Sequence, residues 1–142
     1  DKVAICYLDI DKFKSINDRW GHEAGDNLLI EVAARLKKIL RNEDTVARIH
    51  GDEFIVLLPD IPNFHVLDLI ANKILSTFSH PFYIAAHQLQ VKGSIGIALF
   101  PDDARDLETL LHISDRRMYD FKYAEKESTG VTNVDSLFPA DH

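Results

Sequence analysis

Apolar residues in this chain fall into short runs and alternating stretches that predict strands. Residues 3–8 form an unbroken apolar run of strand length, which is typical of a buried strand. Residues 46–49 and 54–58 predict two further strands, one on each side of an acidic turn. Residues 82–86 and 89–100 predict a hairpin, because apolar and polar positions alternate through much of the second segment.

Three longer segments have apolar residues at helical spacing and predict helices that pack against these strands. They cover about residues 25–41, 64–79 and 106–123, and a short helical stretch follows the first strand. The order βααββαββα predicts an α/β sandwich in which helices flank a mainly antiparallel central sheet. We expect residues 1–127 to form one domain and residues 128–142 a polar tail.

Composition and charge exclude several classes of protein. The chain has 142 residues, 46% of them hydrophobic, which suits one globular domain. Its net charge of -7 argues against a nonspecific nucleic-acid-binding protein, which needs a basic face. Its single cysteine, Cys6, lies in the first strand, so we expect no disulfides and a cytoplasmic location. No apolar run is long enough to span a bilayer, so we expect no membrane contact by this domain, whereas a full-length parent could be membrane-anchored.

Carboxylates follow the first strand and occupy the turn between the second and third. Asp9 ends the first strand, and Asp52 and Glu53 lie on the turn. If the fold brings them together, their oxygens form a cluster that suits Mg²⁺. Each group alone has a simpler explanation, because acidic turns are commonly just solvated and Asp9 precedes a helical stretch that it could cap.

The sequence around these carboxylates resembles the GGDEF family of diguanylate cyclases over about residues 1–127. Residues 9–18, DIDKFKSIND, resemble the family's DxDxFKxxND pattern; residues 21–26 resemble GHxxGD, and residues 50–54, HGDEF, resemble the signature itself. Several motifs in the family's order are far more specific than one alone. The resemblance implies a palm-like nucleotidyl-cyclase fold that condenses two GTP molecules into cyclic di-GMP and pyrophosphate across a homodimer. The family's usual leading helix is missing, so we expect a trimmed or fragmentary chain.

The resemblance also implies the metal-binding and catalytic residues. Asp9, Asp52 and the Ile10 carbonyl would hold two Mg²⁺ (or Mn²⁺) ions, and Glu53 would support the site. Asp52 could also take the proton of the attacking hydroxyl. Lys14, in the motif after Phe13, would act in catalysis by balancing the triphosphate charge.

Nucleotide-binding residues are implied in the same way. Asn17 and Asp26 match the family's guanine contacts, although both residues also favour turns. Lys122 and Lys126 fall where the family places its phosphate-binding Lys and Arg, in a closing segment that matches AKxxGR imperfectly. Without the resemblance, these lysines would be a solvated i, i+4 pair at a helix end.

Arg41 and Asp44 fit the RxxD pattern with which the family binds cyclic di-GMP as a feedback inhibitor. Arg41 could stack on guanine or pair with phosphate, and Asp44 could accept a hydrogen bond from the base edge. A cation near the end of a helix is the simpler explanation for Arg41.

His50 is the main departure from the family, because it replaces the first glycine of the signature. Glycine there would permit a positive φ and a close approach by the nucleotide, whereas histidine adds an imidazole. Two alternatives to an active cyclase therefore stay open. One is a degenerate module that binds GTP or cyclic di-GMP and regulates a neighbouring domain without catalysis, and the other is a different palm-like nucleotidyl cyclase or polymerase.

Overall fold

The computed structural model of this chain describes residues 1–127, with side chains as far as residue 124; the predicted tail lies outside the described residues. The strands are β1 (Lys2–Ile10), β2 (Thr45–His50), β3 (Glu53–Ile61), β4 (Phe82–Ile84), β5 (His87–Leu89) and β6 (Gly93–Phe100). The helices are α1 (Phe13–Trp20), α2 (His22–Ile39), α3 (Phe64–Ser76) and α4 (Leu107–Glu127). Within these residues, no helix has both the length and the apolar character needed to cross a membrane.

The central sheet has the strand order β2-β3-β1-β6, and every neighbouring pair in it is antiparallel. β1 therefore lies inside the sheet between β3 and β6, with β2 at one edge. β4 and β5 form a separate two-stranded sheet. The predicted α/β class, with a mainly antiparallel sheet flanked by helices, is confirmed.

The two faces of β1 have different surroundings. Every second residue belongs to the main core with α2 and α3: Ala4, Cys6, Leu8 and Ile10. Ile5 faces the other side, where it packs with Ala98 and Leu110 of α4. Because side chains alternate along a strand, Asp9 shares the α4 side of the sheet with Ile5. The core residue Cys6 is fully buried, and burial raises its pKa to about 12, so its thiol is unreactive.

The predicted strand at residues 89–100 is two strands, so the observed order is βααββαβββα. The chain leaves the small sheet at Leu89 and joins the central sheet at Gly93. Between them, the Lys92 carbonyl accepts a hydrogen bond from the Asp11 N–H at 2.9 Å. Gly93 packs directly on the Phe78 ring, where a Cβ would overlap it. Apolar and polar residues keep alternating through this crossover, so the sequence pattern does not reveal that one strand ends and another begins there.

Helix boundaries differ from the predicted ones by a few residues. α2 begins three residues before the predicted start at 25, and α4 continues four residues beyond 123. α1 begins at Phe13 with Lys12 as its N-cap residue, and Lys12 makes no side-chain capping bond. Asp9 lies within β1, so the simpler explanation that Asp9 caps a helix is wrong.

Candidate functional site

Three acidic residues meet at the end of the central sheet. Asp9 near the end of β1 is the register partner of Glu53 at the start of β3. The preceding turn folds back onto β1, because the Ile10 N–H donates to the Asp52 carbonyl at 3.2 Å. Antiparallel pairing of β1 with β3 thus brings Asp9 beside Asp52 and Glu53, although Asp9 lies more than forty positions from them in the sequence.

Asp9 and Asp52 repel each other when both are ionised. Burial raises the pKa of Asp52 to about 7, and the Asp9 carboxylate adds to the increase by its charge and by accepting a hydrogen bond from protonated Asp52. When both carboxylates are ionised, the buried Asp9 Oδ1 has no hydrogen-bond donor. Both observations indicate a place where a cation would be favourable.

Lys122 of α4 supplies one cation to this site. Its Nζ lies 2.7 Å from Asp9 Oδ2 and 3.6 Å from Asp11 Oδ1. Burial alone would lower the pKa of Lys122, but the hydrogen bond and charge of Asp9, helped by Asp11, outweigh burial and raise it. Lys122 is therefore charged and neutralises one side of the Asp9 carboxylate, while Asp9 Oδ1 stays unpaired.

Gly96 of β6 sets the position of α4. A Cβ at Gly96 would overlap the backbone atoms Ser114 O and Met118 N of the helix. Arg117 then fastens α4 to the sheet, because it donates to the Ile97 carbonyl at 2.7 Å and pairs with Asp103 at 2.8 Å. This close packing holds Lys122, one turn further along α4, beside Asp9.

The position before Gly51 is occupied by a histidine that faces outward. His50 is the last residue of β2, its side chain is 72% exposed, and its Nε2 lies 3.0 Å from Glu53 Oε1. Gly51 has a positive φ of +54°, whereas the φ of His50 is not positive. Arg48 closes the turn by donating to the Gly51 carbonyl at 2.8 Å. The backbone therefore does not require glycine at position 50.

Residues predicted to bind guanine lie on α1 and α2. Asn17 Oδ1 is buried without a hydrogen-bond partner, and its amide covers Gly25, where a Cβ would overlap it. Asp26 is exposed and lines a cleft of about 510 Å³ between α2 and the β2–β3 hairpin. Lys14 is exposed on α1. The Lys126 side chain lies outside the described residues.

Arg41 and Asp44 are bonded to each other. The Arg41 Nη2 atom lies 2.6 Å from Asp44 Oδ1 and 2.7 Å from the Pro59 carbonyl, and the Arg41 N–H donates to Asp44 Oδ2 at 2.8 Å. The hydrogen bond to Asp44 raises the pKa of Arg41. Arg41 directly follows Leu40, the C-cap residue of α2, so the simpler explanation as a cation near a helix end stays open. These hydrogen bonds hold the loop together and tie it to β3 at Pro59.

Two residues of the site, Tyr7 and Ser94, lie outside the predicted set. Tyr7 lies two residues before Asp9 on the same face of β1; burial, followed by the charge of Glu53, raises its pKa to about 12. The Ser94 hydroxyl donates to Asp11 Oδ1 at 2.8 Å, and burial is the main cause of the raised pKa of Asp11. The alternation along β1 could have indicated Tyr7, whereas Ser94 depends on a long-range strand pairing.

Carboxylate oxygens such as those of Asp9 and Asp52 are the ligands that Mg²⁺ prefers. Within residues 1–127, no group of three or more His, Cys, Asp and Glu residues is arranged to hold a metal. The predicted ligand set needs only Asp9 and Asp52, because its third ligand is the Ile10 carbonyl. A cation shared by Asp9 and Asp52 would pair the free oxygen of Asp9. It would also relieve the repulsion that helps to raise the pKa of Asp52.

This chain matches a known domain family and is similar in sequence to known proteins. Residues 1–128 match the family described as diguanylate cyclase, GGDEF domain. The chain is 40% identical over 121 residues to the bifunctional diguanylate cyclase/cyclic di-GMP phosphodiesterase MucR of Pseudomonas aeruginosa, covering 85% of this chain and 18% of MucR. It is 39% identical over 138 residues to the diguanylate cyclase TpbB of the same organism, covering 96% of this chain and 31% of TpbB.

The crystal structure of the GGDEF domain of TpbB has the same fold. It matches with a TM-score of 0.83 at 37% sequence identity, covering 92% of this chain and 80% of that domain. The chain spans less than a third of the length of MucR and TpbB.

Proposed function

This chain belongs to the GGDEF family of diguanylate cyclase domains, and we propose that it condenses two GTP molecules into cyclic di-GMP and pyrophosphate. The observation that carries the proposal is the meeting of Asp9 and Asp52 beside Lys122. Two carboxylates that need a cation, next to a charged lysine, suit a reaction that moves a phosphoryl group.

The proposed reaction joins each ribose 3′ oxygen to the α-phosphorus of the other nucleotide. The bond from that phosphorus to the bridging oxygen breaks, and pyrophosphate leaves with the electron pair. Asp9, Asp52 and the Ile10 carbonyl would hold Mg²⁺ or Mn²⁺, which would neutralise phosphate charge. Asp52 is the proposed acceptor of the hydroxyl proton, and Glu53, held by Tyr7 and His50, supports the turn.

The remaining predicted residues would hold the nucleotide. Asn17 and Asp26 are proposed to contact guanine, and the unpaired Asn17 Oδ1 gives an acceptor that a base N–H could satisfy. Lys14, Lys122 and Lys126 are proposed to contact the phosphates. Lys122 bonds Asp9 in the free protein, so we expect it to exchange this contact for phosphate when GTP binds.

A homodimer is part of the proposal, because the reaction needs two GTP molecules and each domain has one set of these residues. The test is to incubate the protein with GTP and Mg²⁺ and to separate the products by chromatography. We expect cyclic di-GMP from the wild type and a loss of at least about 100-fold in Asp9→Asn and Asp52→Asn. Asp120→Asn, an exposed carboxylate on α4, is the matched control. Full activity of Asp52→Asn would refute the assignment.

A binding-only module is the second candidate function, because His50 places an imidazole at the nucleotide turn. It predicts that GTP binds, as measured by calorimetry, while no cyclic di-GMP forms, and that His50→Gly restores the product. The outward position of His50 favours the active enzyme instead.

We also propose that Arg41 and Asp44 bind cyclic di-GMP as a feedback inhibitor. Arg41→Ala alone would leave the buried Asp44 carboxylate unpaired, so the double variant Arg41→Ala/Asp44→Ala is the better test. Equal affinity for cyclic di-GMP in the double variant and the wild type would remove this site.

A further inference from the structure

A second, larger cleft lies beside the carboxylate site. It is open, has a volume of about 920 Å³, and lies between α1 and the segment of residues 88–92; we call it the α1 cleft. Its lining includes four cationic side chains: Lys12, Arg19, Lys92 and Lys122. The only carboxylate in that lining is Asp11, which is already bonded to Ser94 and lies near Lys122.

This local charge is opposite to that of the whole chain, which carries a net charge of -7. Lys12, Arg19 and Lys92 are exposed, and none forms an ion pair with a carboxylate among residues 1–124. Three cations that line one cleft without an anionic partner are favourable for an anion from solution.

The two aromatic residues of the cleft, Trp20 and Phe78, argue against a purine as the ligand, and Phe78 is buried against Gly93. Trp20 already stacks with His87, with 4.2 Å between ring centroids, and the Arg19 guanidinium lies 4.9 Å from the centre of the indole ring. A base would have to displace one of these contacts. The other polar groups that line the cleft are the hydroxyl of Ser15 and the amides of Gln88 and Gln90. Donors and cations of this kind suit a compact phosphate anion.

Lys122 connects the α1 cleft to the carboxylate site. Its ammonium bonds Asp9 on one side, and the same residue lines the cleft together with Asp11. An anion that leaves the carboxylate site past Lys122 therefore meets Lys12, Lys92 and Arg19. Resting on the proposed cyclase activity, we propose that the α1 cleft binds the pyrophosphate released by the reaction. This binding is noncovalent and needs no further reactant.

The chain provides its own probe for this proposal, because Trp20 is its single tryptophan and lines the cleft. Sodium pyrophosphate is titrated into the protein in a buffer that contains a metal chelator and no GTP. Tryptophan fluorescence and the heat of binding are recorded. We expect saturable binding in both measurements, and an affinity that falls by about tenfold or more in Lys92→Glu. Lys38→Glu, the same charge change on the exposed face of α2, should bind like the wild type. No saturable heat or fluorescence change, or equal affinity of Lys92→Glu and the wild type, would overturn the proposal.

A turnover experiment separates this proposal from the proposed function. In the active protein, pyrophosphate should inhibit cyclic di-GMP formation, and Lys92→Glu should need about tenfold more pyrophosphate for half inhibition at an unchanged KM for GTP. Equal inhibition of both proteins would refute pyrophosphate binding in the α1 cleft and would leave the proposed cyclase activity standing. If the wild type makes no cyclic di-GMP, the proposed function fails, and Lys92-dependent pyrophosphate binding would then support the anion site alone.

Discussion

His50 and Gly51 are neighbours at the β2–β3 turn but have different backbone needs. Gly51 has a φ of +54°, a region that costs other residues about 1 kcal/mol or more, whereas His50 ends a strand. His50 also points outward and pairs with Glu53 at 3.0 Å. A histidine at this position is therefore compatible with an intact turn.

We predict that His50→Gly leaves the rate of cyclic di-GMP formation within about threefold of the wild type. Its free energy of unfolding should fall by about 0.5–1 kcal/mol, because glycine weakens a strand. Gly51→Ala should lose more stability, about 1–2 kcal/mol, because alanine must adopt a positive φ. Urea unfolding and initial rates check both variants. A rate increase of tenfold in His50→Gly would show that the imidazole obstructs the nucleotide.

Asp52 makes stability depend on pH in a defined direction. Its pKa is raised from 3.8 to about 7 in the folded protein. The folded state therefore retains a proton that the unfolded chain has released, so this stabilising contribution is complete below about pH 4 and is lost as the pH rises through 7. Above pH 7, the ionised Asp52 is a source of instability in the absence of metal.

We predict that Asp52→Asn is more stable than the wild type at pH 8 in a chelator, by about 1–2 kcal/mol after allowance for solvent screening. The difference should disappear near pH 4, where folded Asp52 is protonated. Urea unfolding at both pH values measures it, with Asp120→Asn as the control. A difference that is the same at both pH values would contradict the repulsion between Asp9 and Asp52.

At the scale of elements, the packing of α4 on β6 determines where Lys122 lies. Gly96→Ala should cost about 2–3 kcal/mol of stability, because its Cβ would overlap the α4 backbone at Ser114 and Met118. Cyclic di-GMP formation should fall as well, since the helix that carries Lys122 must shift. Lys73→Ala, at an exposed position on α3, is the control. Equal stability of the Gly96→Ala and Lys73→Ala variants would show that α4 is not closely packed on β6.

The sequence predicted elements well where periodicity and burial agree. The run at residues 3–8 falls within β1, and the three long helices are present with boundaries shifted by a few residues. The crossover between β5 and β6 was not predictable, because the alternating pattern continues through Gln90–Lys92. Two contacts with distant parts of the chain mark the end of the small sheet. They are the hydrogen bond from the Asp11 N–H to the Lys92 carbonyl and the contact of Gly93 with the Phe78 ring.

At the scale of the whole molecule, the candidate site combines residues from distant parts of the chain. The motifs identified Asp9, Asp52 and Lys122 individually, and only the antiparallel pairing of β1 with β3 and the close packing of α4 show them together. The pairing of Arg41 with Asp44 was not predictable either, because sequence spacing does not reveal whether two side chains bond to each other. The motifs predicted candidate residues, whereas the contacts of each side chain depend on the fold.

The proposed reaction joins two GTP molecules held by two copies of the domain, so its rate must depend on assembly. The most direct measurement is the initial rate of cyclic di-GMP formation per chain from GTP and Mg²⁺ over a range of protein concentrations, with the fraction of dimer measured in parallel by light scattering. We predict that the rate per chain rises with the dimer fraction, reaches a plateau, and is absent in Asp52→Asn at every concentration. Samples that are dimeric and bind GTP but form no cyclic di-GMP would contradict the account.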